Sequence, residues 1–164
     1  ISWTPFGELF SGLFMGMIII LLAFFIQTGN VNGFVVWISL PIVITIGLIN
    51  MANNIRDRVK DKASGRKTLP ILLGKKASIT FMAAMYILAY LIVIFTALFK
   101  SGGSLFYLLV LFSFPMPIKA IRRFNKNDTP ASMMPAMAAT GKTNTVFGIL
   151  YALGIYISAL LGGI

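Results

Sequence analysis

Residues 50–70 read Asn50-Met-Ala-Asn-Asn-Ile-Arg-Asp-Arg-Val-Lys-Asp-Lys-Ala-Ser-Gly-Arg-Lys-Thr-Leu-Pro70, a basic stretch set between two long apolar runs. That contrast decides the fold. A helix crossing the bilayer core takes about 20 mostly apolar residues, and five stretches reach or approach that length: 9–26, 34–51, 79–99, 105–121 and 146–164. None alternates with the period of two that a transmembrane strand requires, so the spans are helices. Composition agrees, with 58% hydrophobic and 11% charged residues and a mean hydropathy of +0.90. A water-soluble domain could not cover itself with so few polar groups. The reading is an all-α integral membrane chain of five transmembrane helices, with residues 1–164 all belonging to one membrane domain.

Charge asymmetry orients the bundle. The linker after the second span holds Arg56, Arg58, Lys60, Lys62, Arg66, Lys67, Lys75 and Lys76, and the one after the fourth holds Lys119, Arg122, Arg123, Lys126 and Lys142. The two remaining turns contain only Lys100. By the positive-inside rule the basic linkers are cytoplasmic, which places the chain as a multi-pass protein of the cell membrane with its carboxy terminus outside. The net charge of +10 is then topology and attraction to anionic lipid headgroups. It needs no nucleic-acid partner, since no soluble domain presents a basic face. The chain opens at Ile1 without Met or a signal-peptide pattern, which reads as a truncated or processed polypeptide.

Cys and His are both absent. This removes thiolate chemistry and the usual neutral-pH base, and leaves carboxylates, amides and cations. Only four acidic residues exist in the chain, and Asp57 and Asp61 lie one helical turn apart in the most basic stretch, with Asn53 one turn before them. Nothing between Asn50 and Ala63 breaks a helix, so the second span continues until Gly65 and Pro70 end it. On that helix Asn53, Asp57 and Asp61 form one row.

The spacing leaves two readings open. Asp57 and Asp61 pair with Arg58, Lys60 or Lys62 on a solvated helix; or the row holds a divalent cation. Mg²⁺ takes oxygen ligands, with one or two carboxylates plus substrate phosphates and waters, so a sparse Asn/Asp/Asp row suits a metal–diphosphate complex. Arg56 and Lys60, with Arg66 and Lys67 in the following turn, would then serve phosphate oxygens.

Residues 53–69, with their Asn-Asn-x-Arg-Asp opening and Gly-Arg-Lys-Thr-Leu ending, resemble the second aspartate-rich motif of the UbiA superfamily of intramembrane prenyltransferases. They are most similar to the branch that prenylates 1,4-dihydroxy-2-naphthoate in menaquinone synthesis. Thr-Pro-Phe-Gly-Glu-Leu-Phe-Ser-Gly at 4–12 and Gly-Lys-Thr-Asn at 141–144 add to the resemblance. It implies a nine-helix bundle of which this chain is the carboxy-terminal part, helices five to nine, the missing amino-terminal half carrying a first motif. It also implies Asn53, Asp57 and Asp61 as Mg²⁺ ligands, with Asp57 and Asp61 catalytic, and Arg56, Lys60 and Lys67 as diphosphate contacts. The implied partners are a polyprenyl diphosphate and an aromatic acceptor, the implied product is demethylmenaquinone, and the half alone would be inactive. Within that family, the alternative is a prenyltransferase with another aromatic acceptor. Outside it, the alternative is a non-catalytic multi-span protein or transporter half with a lipid-binding basic loop, although the spans have essentially none of the mid-membrane ionisable residues expected of a transporter.

Other features read as ordinary. Gly141-Lys142-Thr143 is no phosphate loop, because Ala136 stands where the pattern needs Gly, and Lys142 reads as an interfacial anchor. Glu8 reads as a solvated acid. Met133, Met134 and Met137 read as interfacial packing, Gly12 and Gly16 as a helix contact, and Pro41, Pro115 and Pro117 as kinks.

Overall fold

A computed structural model describes residues 4–162. It contains five helices long and apolar enough to cross a membrane: α1 (Gly7–Thr28), α2 (Gly33–Ala63), α4 (Lys75–Phe99), α5 (Leu105–Lys126) and α6 (Pro130–Leu160). A short α3 (Leu69–Leu73) follows the basic turn after α2. Residues 163 and 164, where the fifth expected span was to end, lie outside the described residues.

Local chemistry sets the boundaries. Asn32 caps α2 by accepting a hydrogen bond from the Val35 amide at 2.9 Å, satisfying one of the donors a helix start leaves free. α2 then runs through Pro41 to Ala63, so the basic stretch is indeed a continuation of the second span. It ends in a Schellman arrangement: Gly65 has φ +79°, its amide reaches the Lys62 carbonyl at 3.1 Å, and the Arg66 amide returns to the Asp61 carbonyl at 3.0 Å. A left-handed residue is needed there, and Gly adopts it without a Cβ penalty. The first half of α5, Leu105–Ser113, is wound as a 3₁₀ helix and becomes α-helical from Pro115. Pro115 has no amide proton to give, and the tighter winding satisfies the preceding turn instead.

α6 differs from the sequence expectation. It begins at Pro130, whereas apolarity pointed to residue 146. Residues 130–145 hold Ser, Thr, Asn and Lys, too polar to read as a span, but a reciprocal cap between Thr129 and Ser132 and Pro130 in the first turn start a helix there. What looked like a long linker is therefore a turn of a few residues.

Packing brings the basic segments to one end of the bundle. Lys75 Nζ, at the start of α4, donates to the Asn127 carbonyl at 2.7 Å and to Asp128 at 2.6 Å in the turn between α5 and α6. Near that end Met51, Ile55, Met82, Tyr86, Phe124 and Met133 form one buried cluster, while Tyr90, Val93, Tyr107, Phe147 and Tyr151 form another deeper in the bundle. α1 joins α2 closely. A Cβ on Gly12 would stand 2.4 Å from the Val43 carbonyl oxygen, and one on Gly16 2.9 Å from Val43 Cα, so only Gly lets the two backbones approach this far. Large apolar side chains such as Ile26, Phe99, Phe112 and Leu160 remain on the outside, as lipid-facing surfaces require.

Candidate active site

The last turns of α2 present a polar strip. Asn50, Asn53, Asn54, Asp57 and Asp61 recur at helical spacing on one broad face. Asp61 is buried, whereas Asn53 and Asp57 are half-buried. α1 supplies the facing wall. Gly7 lies against Asn50, since a Cβ there would meet Asn50 Nδ2 at 3.3 Å, and Asn54 Nδ2 donates to Glu8 Oε1 at 2.8 Å.

Each carboxylate of the row has a guanidinium partner. Arg56 holds Asp57 with both arms, Nε to Oδ1 at 2.7 Å and Nη2 to Oδ2 at 2.5 Å. Its remaining Nη1 points to the sulfurs of Met137 at 3.0 Å and Met134 at 3.6 Å on α6. Arg66 approaches Asp61 at 3.2 Å, brought there by the turn at Gly65. The ion pairs thus form, but with Arg56 and Arg66 in place of the Arg58, Lys60 and Lys62 that the pairing reading named. Lys60 and Lys67 are exposed and make no ion pair among the described residues. The Asn53 side chain makes no hydrogen bond among them either.

A cavity of about 440 Å³ opens beside the strip, lined by Thr4, Gly7, Ser11, Asn50, Asn54, Arg66 and Thr68 together with Phe10, Phe14 and Met15. An apolar cavity of about 180 Å³, with Glu8 in its lining, lies between α1, α2 and α4. Glu8 itself is only 8% exposed, and its Oε2 is buried without a partner. The solvated acid expected at this position is instead part of the α1–α2 contact. Sequence spacing gives no sign of the Glu8–Asn54 pair, because it depends on how two helices meet; the small residues Gly12 and Gly16 were the only signal that they would.

Asn53, Asp57 and Asp61 supply only oxygen and amide groups, the type Mg²⁺ selects. No group of three or more Asp, Glu, His or Cys converges among the described residues, so the row is not a closed cage. It fits a hard cation whose remaining ligands are waters and phosphate oxygens.

A family model described as the UbiA prenyltransferase family matches residues 2–146. The chain is similar to the 1,4-dihydroxy-2-naphthoate octaprenyltransferase of Bacillus subtilis (strain 168), with 46% identity over 96% of this chain and 50% of that protein. It is similar to the UbiA prenyltransferase domain-containing protein 1 homolog of Drosophila melanogaster, at 32% over 92% of the chain and 40% of the relative. The human UbiA prenyltransferase domain-containing protein 1 matches at 25% over 96% of the chain and 44% of its own length. The chain spans about half the length, or less, of these relatives. No solved structure matches.

Proposed function

The chain belongs to the UbiA prenyltransferase family, and on that premise we propose that the full protein transfers a polyprenyl group from its diphosphate to an aromatic acceptor. We take the acceptor to be 1,4-dihydroxy-2-naphthoate, the compound named in the Bacillus subtilis relative. The observation that carries the reading is the row itself: Asn53, Asp57 and Asp61 on one helix face, each carboxylate shadowed by an arginine. The basic end of the bundle is the cytoplasmic one, and this chain supplies one of two aspartate-rich motifs and is inactive alone.

In this proposal Asn53, Asp57 and Asp61 hold Mg²⁺, directly or through water. Mg²⁺ bound there supplies positive charge that favours departure of diphosphate. Arg56 and Arg66 neutralise the carboxylates while the site is empty and turn to phosphate oxygens when substrate arrives. For Arg56 the exchange is inexpensive, because a partly exposed ion pair such as Arg56–Asp57 contributes only about 0.2–1 kcal/mol; at buried Asp61 the arriving cation replaces the charge that Arg66 withdraws. Lys60 and Lys67, free of carboxylates, add further phosphate donors. The allylic carbon–oxygen bond breaks with its electron pair leaving on diphosphate. The electron-rich ring then forms the new carbon–carbon bond and, for a naphthoate, loses its carboxyl group as CO₂. No covalent enzyme intermediate is needed, which suits a chain without Cys or His.

The test is prenyl transfer by the full-length protein in membranes, with 1,4-dihydroxy-2-naphthoate and a panel of other phenolic acceptors. Mg²⁺-dependent product from the naphthoate is the expected result. Efficient transfer only to another phenol would replace the acceptor, and absence of transfer to every acceptor would refute the reading.

A further inference from the structure

At the basic end of the bundle, α5 and α6 enclose a groove of about 290 Å³ lined by Met116, Lys119, Arg123, Ala138, Ala139 and Lys142. Lys119 and Arg123 are four residues apart and share one face of α5, and Lys142 faces them from α6. Ala138 and Ala139 leave the floor open. Arg123 is fixed on the rim by donating Nη1 to the Pro135 carbonyl at 3.0 Å.

These three cations have no counter-ion among the described residues. The chain has only four acidic side chains; Asp57 is taken by Arg56, Asp61 by Arg66 and Asp128 by Lys75. Glu8 is buried against Asn54 on the α1–α2 contact. Nor are the cations the loose charges of a helix end. Lys119 stands about two turns before the end of α5 at Lys126, and Lys142 about three turns after the start of α6 at Pro130. They are drawn back from the turn toward the apolar part of the bundle.

Apolar surface continues the groove away from the basic end. Phe112, 76% exposed, lies one turn before Met116 on the face of α5 that bears Lys119; on α6 exposed Ile149 and Leu153 follow Lys142 at helical spacing. Positive charge above an exposed apolar stripe matches an amphiphile with an anionic head. We propose that this groove binds an anionic phospholipid, its phosphate between Lys119, Arg123 and Lys142 and its acyl chains along the stripe. Basic pockets between transmembrane helices favour such headgroups in general. The groove shares no lining residue with the Asp57/Asp61 row, and its lipid is read out independently of the proposed reaction.

The experiment uses the full-length protein in nanodiscs of phosphatidylcholine with or without phosphatidylglycerol, followed by native mass spectrometry of the lipid it retains. Wild type is expected to retain phosphatidylglycerol selectively, and Lys119→Gln/Arg123→Gln/Lys142→Gln to lose at least about tenfold of that retention, since each near-surface cation contributes separately. A second variant, Lys119→Arg/Lys142→Arg, keeps the charge and should retain lipid, which separates loss of binding from loss of folding. Equal retention by wild type and the Gln variant overturns the proposal. So does absence of selective retention by wild type, which would assign the cations to contacts within the full protein. Displacement of the lipid by inorganic diphosphate would identify a diphosphate site and also overturn it.

Discussion

Asn54 on α2 donates to Glu8 on α1 across 2.8 Å, so the polar strip is tied to a neighbouring helix at its middle. The Glu8 oxygen accepts, so the Asn54 amide turns its nitrogen toward Glu8. Glu8→Ala would leave a cavity and an unsatisfied amide inside a helix contact, at a cost of about 1–3 kcal/mol. Glu8→Gln keeps an accepting oxygen and should lose less. Thermal unfolding of the full-length protein in mild detergent checks the order, and equal midpoints for wild type and Glu8→Ala would show that the pair carries no stability.

Asp57 and Asp61 are proposed to bind the same metal, so substitution of either should have a similar effect. Asp57→Asn and Asp61→Asn each remove one charged oxygen ligand while keeping shape, and prenyl transfer should fall by roughly 10²–10³-fold, the usual effect of deleting one electrostatic stabiliser. Raising Mg²⁺ should recover part of the loss. Full activity in either variant at limiting Mg²⁺ would remove that residue from the metal set.

Much of the geometry of this candidate site was legible in the sequence, and the rest was hidden for identifiable reasons. The row could be read because helical spacing alone puts Asn53, Asp57 and Asp61 on one face, and because nothing before Gly65 breaks the helix. The partner of Asp61 could not. It depends on the left-handed Gly65, which turns the chain so that the Arg66 amide meets the Asp61 carbonyl at 3.0 Å and its guanidinium meets the carboxylate. Glu8 was hidden for a different reason, since its burial is a property of two helices packed through Gly12 and Gly16. The five spans stood out by apolarity, but the start of α6 did not, because Thr129, Pro130 and Ser132 begin a helix whose first turns carry polar residues.

That turn makes neighbouring cations unequal. Arg66 is half-buried and lines the cavity beside the strip, while Lys67 is exposed. Arg66→Gln should raise KM for polyprenyl diphosphate by about tenfold, the loss of one charge-assisted contact of roughly 1.5 kcal/mol. Lys67→Gln should change it less. Steady-state kinetics over a diphosphate series decides, and a larger KM effect at Lys67 would mean that substrate binding rearranges the turn.

The close approach of α1 and α2 predicts an opposite response at two kinds of glycine. Gly12→Ala would drive a methyl to 2.4 Å from the Val43 carbonyl oxygen, and because backbone cannot swing aside, the helices must separate. Overpacking of this kind costs about 1–3 kcal/mol. Gly148→Ala, in the middle of α6 with nothing within 4 Å of its new Cβ, meets no such obstacle and gains helix propensity, about 0.5–1 kcal/mol. The unfolding midpoint of the full-length protein should therefore fall for Gly12→Ala and hold or rise for Gly148→Ala. Because Gly12 lies one turn along α1 from Glu8, separation there should also loosen the Asn54 contact, so Gly12→Ala and Glu8→Ala combined should destabilise by less than the sum of the two. Strict additivity would mean that the glycine contact and the polar strip are independent.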